Sequence, residues 1–321
     1  MSRAVPERDT HAGEGGHVVG WALVINLAIA ALKFAVAVVT SSTAMLAEAF
    51  HSLADCGNQV FLLLGMRLAA RRPDDEHPFG YASERYFWSF IAALSIFSVG
   101  GALSIYEGGR RVLAPAAEGH QAIDSPVWAF AVLGVSIVLE SISFAVALRE
   151  FRRSAGGRTL GTMLREARDP TVITVLFEDT AALVGLVVAL VGVGASTLTG
   201  NAVWDGLASI VVGLVLAAVA LFLTRETKSL LIGRSVPPAE RDRITAIAAA
   251  SPDVLSVVHI RTVHLGPDEV MCGLKLSFTP TLDTRTLEAR INDLEARLRA
   301  ELPHLVRIYV EPGFEEHPRV P

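Results

Sequence analysis

Six stretches of roughly 20 apolar residues fall at about 18–40, 43–66, 86–113, 126–149, 171–194 and 203–224. About 20 apolar residues is what a helix needs to cross some 30 Å of hydrocarbon, so each stretch predicts a membrane-spanning helix. From about residue 229 the pattern changes. "PPAERDRITAIAAAS" sets proline near a helix start and apolar residues at helical spacing. "VLSVVHIRTVHL" and "EVMCGLKLSFTP" are β-rich runs separated by the turn signal "GPDE". "DTRTLEARINDLEARLRAEL" repeats Leu and Ile at three- and four-residue steps, and "LVRIYVEP" closes as a strand. The fold expected is an α-helical membrane protein of six transmembrane helices, followed by a cytoplasmic α+β domain of ferredoxin-like type with the order αββαβ. Its divisions are a flexible polar tail at 1–16, the membrane domain at 17–228 and the soluble domain at 229–321.

Basic residues orient the spans. The connection after the second stretch carries Arg67, Arg71, Arg72 and Arg85. The one after the fourth carries Arg149, Arg152, Arg153, Arg158, Arg165 and Arg168, and Arg225, Lys228 and Arg234 follow the sixth. On the other side "TSST" and "GASTLTGN" have no Lys or Arg, and the third loop has only Arg110 and Arg111 near its start. Both termini are therefore expected in the cytoplasm, with the protein multi-pass in the cell inner (plasma) membrane. The polar first 16 residues do not read as a cleavable signal peptide.

Composition agrees: 51% of residues are hydrophobic and 19% charged, against about 25% charged in an ordinary soluble domain. A net charge of −5 argues against a nucleic-acid partner. Cys56 and Cys272 form no close pair, so neither a disulfide framework nor a cysteine zinc finger is expected.

Ionisable side chains within apolar helices are costly and are functional candidates by default. In "AEAFHSLADCGNQ", His51 and Asp55 are four apart and share a helix face. An imidazole nitrogen beside a carboxylate oxygen makes half of a tetrahedral zinc site. The alternative is that the pair hydrogen-bonds internally and locks helix packing. In "TVLFEDTAALVG", Glu178 and Asp179 are adjacent, about 100° apart around the helix. One faces the bundle interior and the other reaches it from the side or supports it, unless both lie in the interface near the helix start. Carboxylate plus imidazole suits zinc, and also manganese or ferrous iron. Lys33, Glu107, Glu140 and Asp205 read as packing or ion-pair groups.

"SSTAMLAEAFHSLADCGNQ" followed by "RRPDDEHPFGYASERY" closely resembles the cation diffusion facilitator family, proton-coupled exporters of zinc and related metals. "WDGLASIVVGLVLA" and the αββαβ tail fit the same family, and "FEDTAALVG" looks most like the subgroup containing the animal mitochondrial zinc transporter. The resemblance implies a transport site of paired residues four apart on the second and fifth helices. His51 and Asp55 supply the first pair. Asp179 matches the later position of the second, Val175 stands at the earlier one, and the extra carboxylate Glu178 is the implied fourth ligand. Asp74 and His77 match a second, interfacial site, but Tyr81 replaces a further histidine. A weak site or none is expected there, with the loop shaped by hydrogen bonding instead. In the soluble domain His259 matches a ligand position while Lys275 and Tyr309 replace others, so dimer contacts rather than metal sensing are implied. His259 and His264, five apart, are expected on opposite strand faces, with His264 at the surface.

The expected function is efflux of a divalent cation, most readily Zn2+, by metal/proton antiport with alternating access. The chain needs no cofactor and is not an enzyme. Its partners are the metal ion, protons, the lipid membrane and a second copy in a homodimer. His51, Asp55 and Asp179 would take protons as metal leaves, because metal requires neutral imidazole and ionised carboxylates. Manganese or iron as cargo is the alternative within the class. A non-transporting scaffold is a rival class, as is an intramembrane metalloenzyme, for which no H-E-x-x-H is present.

Overall fold

The computed structural model describes residues 19–20, 23–24, 26–35, 43–113, 126–155, 170–201 and 203–313. The N-terminal tail and Arg158, Arg165 and Arg168 lie outside them. The described residues form helices α1 (Asn26–Ala35), α2 (Thr43–Ala69), α3 (Glu84–Leu113), α4 (Pro126–Ala155), α5 (Pro170–Thr199), α6 (Val203–Leu231) and α7 (Pro238–Ala249). Strands β1 (Val254–Gly266) and β2 (Glu269–Phe278), helix α8 (Thr284–Glu301) and strand β3 (Leu305–Pro312) follow. The chain divides into two compact units. One holds residues up to Arg72 together with Glu84–Lys228, and the other holds Pro73–Ser83 together with Ser229–Pro321.

Within the helical unit, four helices among the described residues are long and apolar enough to cross a membrane: Glu84–Leu113, Phe130–Arg149, Ile173–Thr199 and Val203–Leu231. Helix α2 has the length, 27 residues, but its apolar run is broken by His51, Asp55, Asn58 and Gln59. The side chains pack inward around Leu62, Ala92, Ala93, Ile96, Val175, Leu176, Leu216 and Leu223, while Val138, Ile142, Val187 and Leu214 remain exposed. That is the distribution expected where hydrocarbon is the solvent. Proline at the start of α5 costs no helical hydrogen bond, since first-turn N–H groups have no partner in the helix. Gly200 adopts φ +67°, and Asn201 Oδ1 accepts from Val203 N at 3.0 Å, so α5 turns directly into a capped α6.

Helices α3 and α6 approach backbone to backbone. A Cβ on Gly108 would lie 2.5 Å from the Gly206 carbonyl, and one on Gly213 would lie 2.8 Å from that of Gly101. Small residues at such crossings permit the close packing that holds helices together in lipid. Just before the first of these glycines and through Gly101, α3 winds as a π-helix over Ile96–Ala102, a wider turn often found at functional sites.

The second unit holds one three-stranded sheet in the order β1-β2-β3. β1 and β2 are antiparallel, and β2 and β3 are parallel. The parallel pair requires a crossover, and α8 supplies it. Val270, Cys272, Leu274 and Leu276 alternate onto the face covered by Ile244 and Ile247 of α7 and Leu294 and Leu298 of α8. Asp283 caps α8 by accepting from Thr286 N at 2.7 Å.

Candidate transport site

Asp55 and Asn58 are three apart on α2 and so lie on one face. Together with Glu178 and Ala182 of α5, Ser95, Ile96 and Gly100 of α3, and Leu216 of α6 they line a cavity with room for about one water-sized body. Asn58 Nδ2 donates to Glu178 Oε1 at 3.0 Å across the α2–α5 boundary. The other oxygen, Glu178 Oε2, is buried with no hydrogen-bond partner among the described residues, in a side chain only 8% exposed. A buried carboxylate oxygen without a partner is costly, so that atom is open to a ligand.

Asp179 points elsewhere. Its Oδ2 accepts from Ser143 Oγ of α4 at 3.0 Å, it is 4% exposed, and Glu140, three residues before Ser143, is buried as well. Asp179 does not line the cavity. The one-residue step from 178 to 179 thus turns one carboxylate to α2 and the next to α4. The backbone of His51 belongs to α2 one turn before Asp55, and its side chain lies outside the described residues. Among those residues no group of three or more His, Cys, Asp and Glu side chains could hold a metal ion.

The other embedded charges pair structurally. Lys33 Nζ donates to Ser52 Oγ at 2.8 Å, Arg111 pairs with Asp205, and Glu107 reaches Arg110 at 3.4 Å and Arg111 at 3.5 Å.

In the second unit, the loop that contains Asp74 and His77 is closed on itself. Asp74 Oδ1 accepts from His77 N at 2.7 Å and Oδ2 from Tyr81 OH at 2.6 Å, and the His77 and Tyr81 rings lie 4.4 Å apart. The Tyr81 hydroxyl, then the His77 amide, hold the exposed Asp74 carboxyl below its ordinary value. The loop end docks where Ala82 meets Gly266 and Ser83 Oγ donates to Leu265 O at 2.8 Å. On β1, His259 is exposed and pairs across with Lys275, whose Nζ bonds Glu311 Oε1 at 2.8 Å, and Tyr309 is exposed. His264 corrects one expectation. It does lie on the opposite face, but that face is the covered one, and it is 5% exposed; its backbone N–H donates to Arg234 O at 3.0 Å.

Of the cavity's lining residues, sequence reasoning finds Asp55 and Glu178 and misses the other six: Asn58, Ser95, Ile96, Gly100, Ala182 and Leu216. Only Asn58 carries a signal, being polar, within an apolar run, and three residues beyond Asp55.

Residues 21–232 match the cation efflux transmembrane domain. The chain belongs to the cation efflux family. It is therefore read as a transmembrane carrier and not as an enzyme. Relatives include the mitochondrial proton-coupled zinc antiporters of Xenopus laevis, 38% identical over 282 residues, and of Mus musculus, 36% identical over 273 residues. These alignments cover 87% and 84% of this chain but 50% and 47% of those proteins, so the chain spans about half their length. The magnetosome protein MamB of a Magnetospira species is 26% identical over 297 residues, 91% of this chain and 93% of that protein. The antiporters' names as mitochondrial proteins overturn the expectation of a cell inner (plasma) membrane, and a multi-pass membrane protein is what stands.

Proposed function

We propose that the chain exports a divalent metal cation, Zn2+ first, in exchange for protons by alternating access. In this reading six helices span the membrane, with both termini cytoplasmic, and the αββαβ unit is a ferredoxin-like cytoplasmic domain that contributes to a homodimer. Asp55 and Glu178 bind the cargo in the cavity, His51 joins them from one turn earlier on α2, and Asp179 supports α5 from the α4 side. The observation that carries the reading is the buried Glu178 oxygen without a hydrogen-bond partner among the described residues, on an ion-sized cavity shared with Asp55. The relatives' names as proton-coupled zinc antiporters supply the cargo and the coupling ion.

Metal binding needs both carboxylates ionised, and its departure leaves two negative groups in a place of low dielectric. Protons then neutralise them, so an inward proton gradient returns the site to its protonated form while metal leaves. Manganese is a second reading favoured by the two carboxylates on the cavity, Asp55 and Glu178, since carboxylates suit harder cations as well as zinc.

The test is uptake of zinc, manganese and iron into proteoliposomes with an imposed pH gradient. Zinc uptake with counter-movement of protons, lost in Asp55→Ala, is the expected result. Manganese uptake in its place would change the cargo, and no uptake of any metal would overturn the reading.

A further inference from the structure

We propose that Asn58 is a positioning residue for the cargo site: its side-chain amide holds one oxygen of Glu178 so that the other faces the cavity beside Asp55. The inference rests on the reading of Asp55 and Glu178 as cargo ligands and deepens it.

A glutamate reaching from α5 has several rotatable bonds, and a ligand that must be found again on every transport cycle gains from being held in one orientation. The cavity, walled in part by Ile96, Leu216 and Ala182, has room for about one small body, so a water holding Glu178 there would occupy the space the cargo needs. A protein donor leaves that space free. Among the lining side chains, Ser95 gives its hydroxyl proton to Ile91 O at 3.0 Å, and Asp55 as a carboxylate has none to give. Asn58, 3% exposed, is the lining residue among those described that donates to Glu178, at 3.0 Å.

The residue type fits the task. An amide supplies N–H groups without charge. A carboxylate in the same shape would add a third negative group to a space already shared by Asp55 and Glu178, and it would have no proton to offer. The α2 register fits as well: three residues from Asp55, Asn58 stays on the face that meets α5. The consequence is a division of labour on one carboxylate, with Oε1 held by the protein and Oε2 left for the ion. Partners that orient a ligand in this way typically govern metal affinity by about 10–100-fold.

The experiment measures zinc KM and maximal turnover in proteoliposomes for wild type, Asn58→Ala, Asn58→Asp, Asn58→Ser and Glu178→Gln. Asn58→Ala and Asn58→Asp are expected to raise the zinc KM about tenfold or more, with turnover at saturating zinc within about twofold of wild type. Asn58→Ser, which keeps a hydroxyl donor, is expected to fall between them and wild type. Asn58→Asp decides between positioning and ligation. If the side-chain oxygen of Asn58 were itself a ligand, the aspartate would hold zinc as well or better, and a KM at or below wild type overturns the proposal. Unchanged KM in Asn58→Ala overturns it too, as does lost turnover at unchanged KM. Should Asn58→Ala not fold, the near-isosteric Asn58→Asp makes the same distinction. Wild-type transport by Glu178→Gln would remove the underlying site, whereas a dead Glu178→Gln beside wild-type Asn58 variants would remove this inference alone.

Discussion

Two places in the molecule hold the ingredients of a metal site, and they are finished differently. In the loop of the sheet-bearing unit, Asp74 has a histidine three residues on, yet both its oxygens are taken, one by the His77 amide and one by the Tyr81 hydroxyl. In the helical unit, Glu178 has one oxygen taken by Asn58 and the other left without a hydrogen-bond partner among the described residues. The first carboxylate is exposed and could have been hydrated at little cost; the second is buried, where an unfilled bond is costly. A completed network fixes a shape. An incomplete one is, in the proposed reading, where the ion binds.

The largest effect that bears on this contrast is loss of the incomplete carboxylate. Glu178→Gln, which preserves volume, should reduce zinc transport by at least about 100-fold, beyond the 10–100-fold typical of an outer partner. Radiometric or dye-reported uptake checks it, and Asp55→Ala should match. A smaller effect is expected one residue away. Asp179→Asn and Ser143→Ala, which loosen the α4–α5 contact, should slow transport by about tenfold or less while leaving zinc KM nearly unchanged, as a substrate titration would show.

The loop should respond to acid and hardly to metal. Because the folded state holds the Asp74 carboxyl below its ordinary value, its stabilising effect is present above the unfolded carboxylate pKa of about 3.9 and is lost as pH falls through the depressed folded value. Asp74→Asn should therefore be cut faster than wild type by protease within 73–83 at neutral pH. With an acid-active protease the difference should shrink only below about pH 4, and zinc uptake should change by less than about twofold. The smallest effect is expected at Cys272. Burial pushes its thiol up to about 12, so alkylation at about pH 8 should leave it unmodified until the sheet is unfolded, as mass spectrometry would record.

Much of this is legible in the sequence. The four-residue step from His51 to Asp55 is a property of any helix, and the αββαβ order follows from where helical and alternating patterns exchange. The choice between Glu178 and Asp179 is not legible. Two adjacent carboxylates in an apolar run carry the same local signal, and only the rotation of α5 against α2 and α4 decides which one meets Asp55. The resemblance favours Asp179 because it occupies a matching position, whereas the cavity meets its neighbour. His264 shows the same limit on a strand. Alternation separates it from His259, but which face is covered depends on where α7 and α8 seat, and no pattern within β1 records that.

Whether the cargo faces Glu178 or Asp179 is decided by reconstituting Glu178→Gln and Asp179→Asn side by side and following zinc uptake under the same imposed pH gradient. The Glu178 variant is expected to lose transport, while the Asp179 variant retains a readily measurable fraction at near-wild-type zinc KM. Transport surviving in Glu178→Gln and vanishing in Asp179→Asn would contradict the placement of the cargo against Glu178.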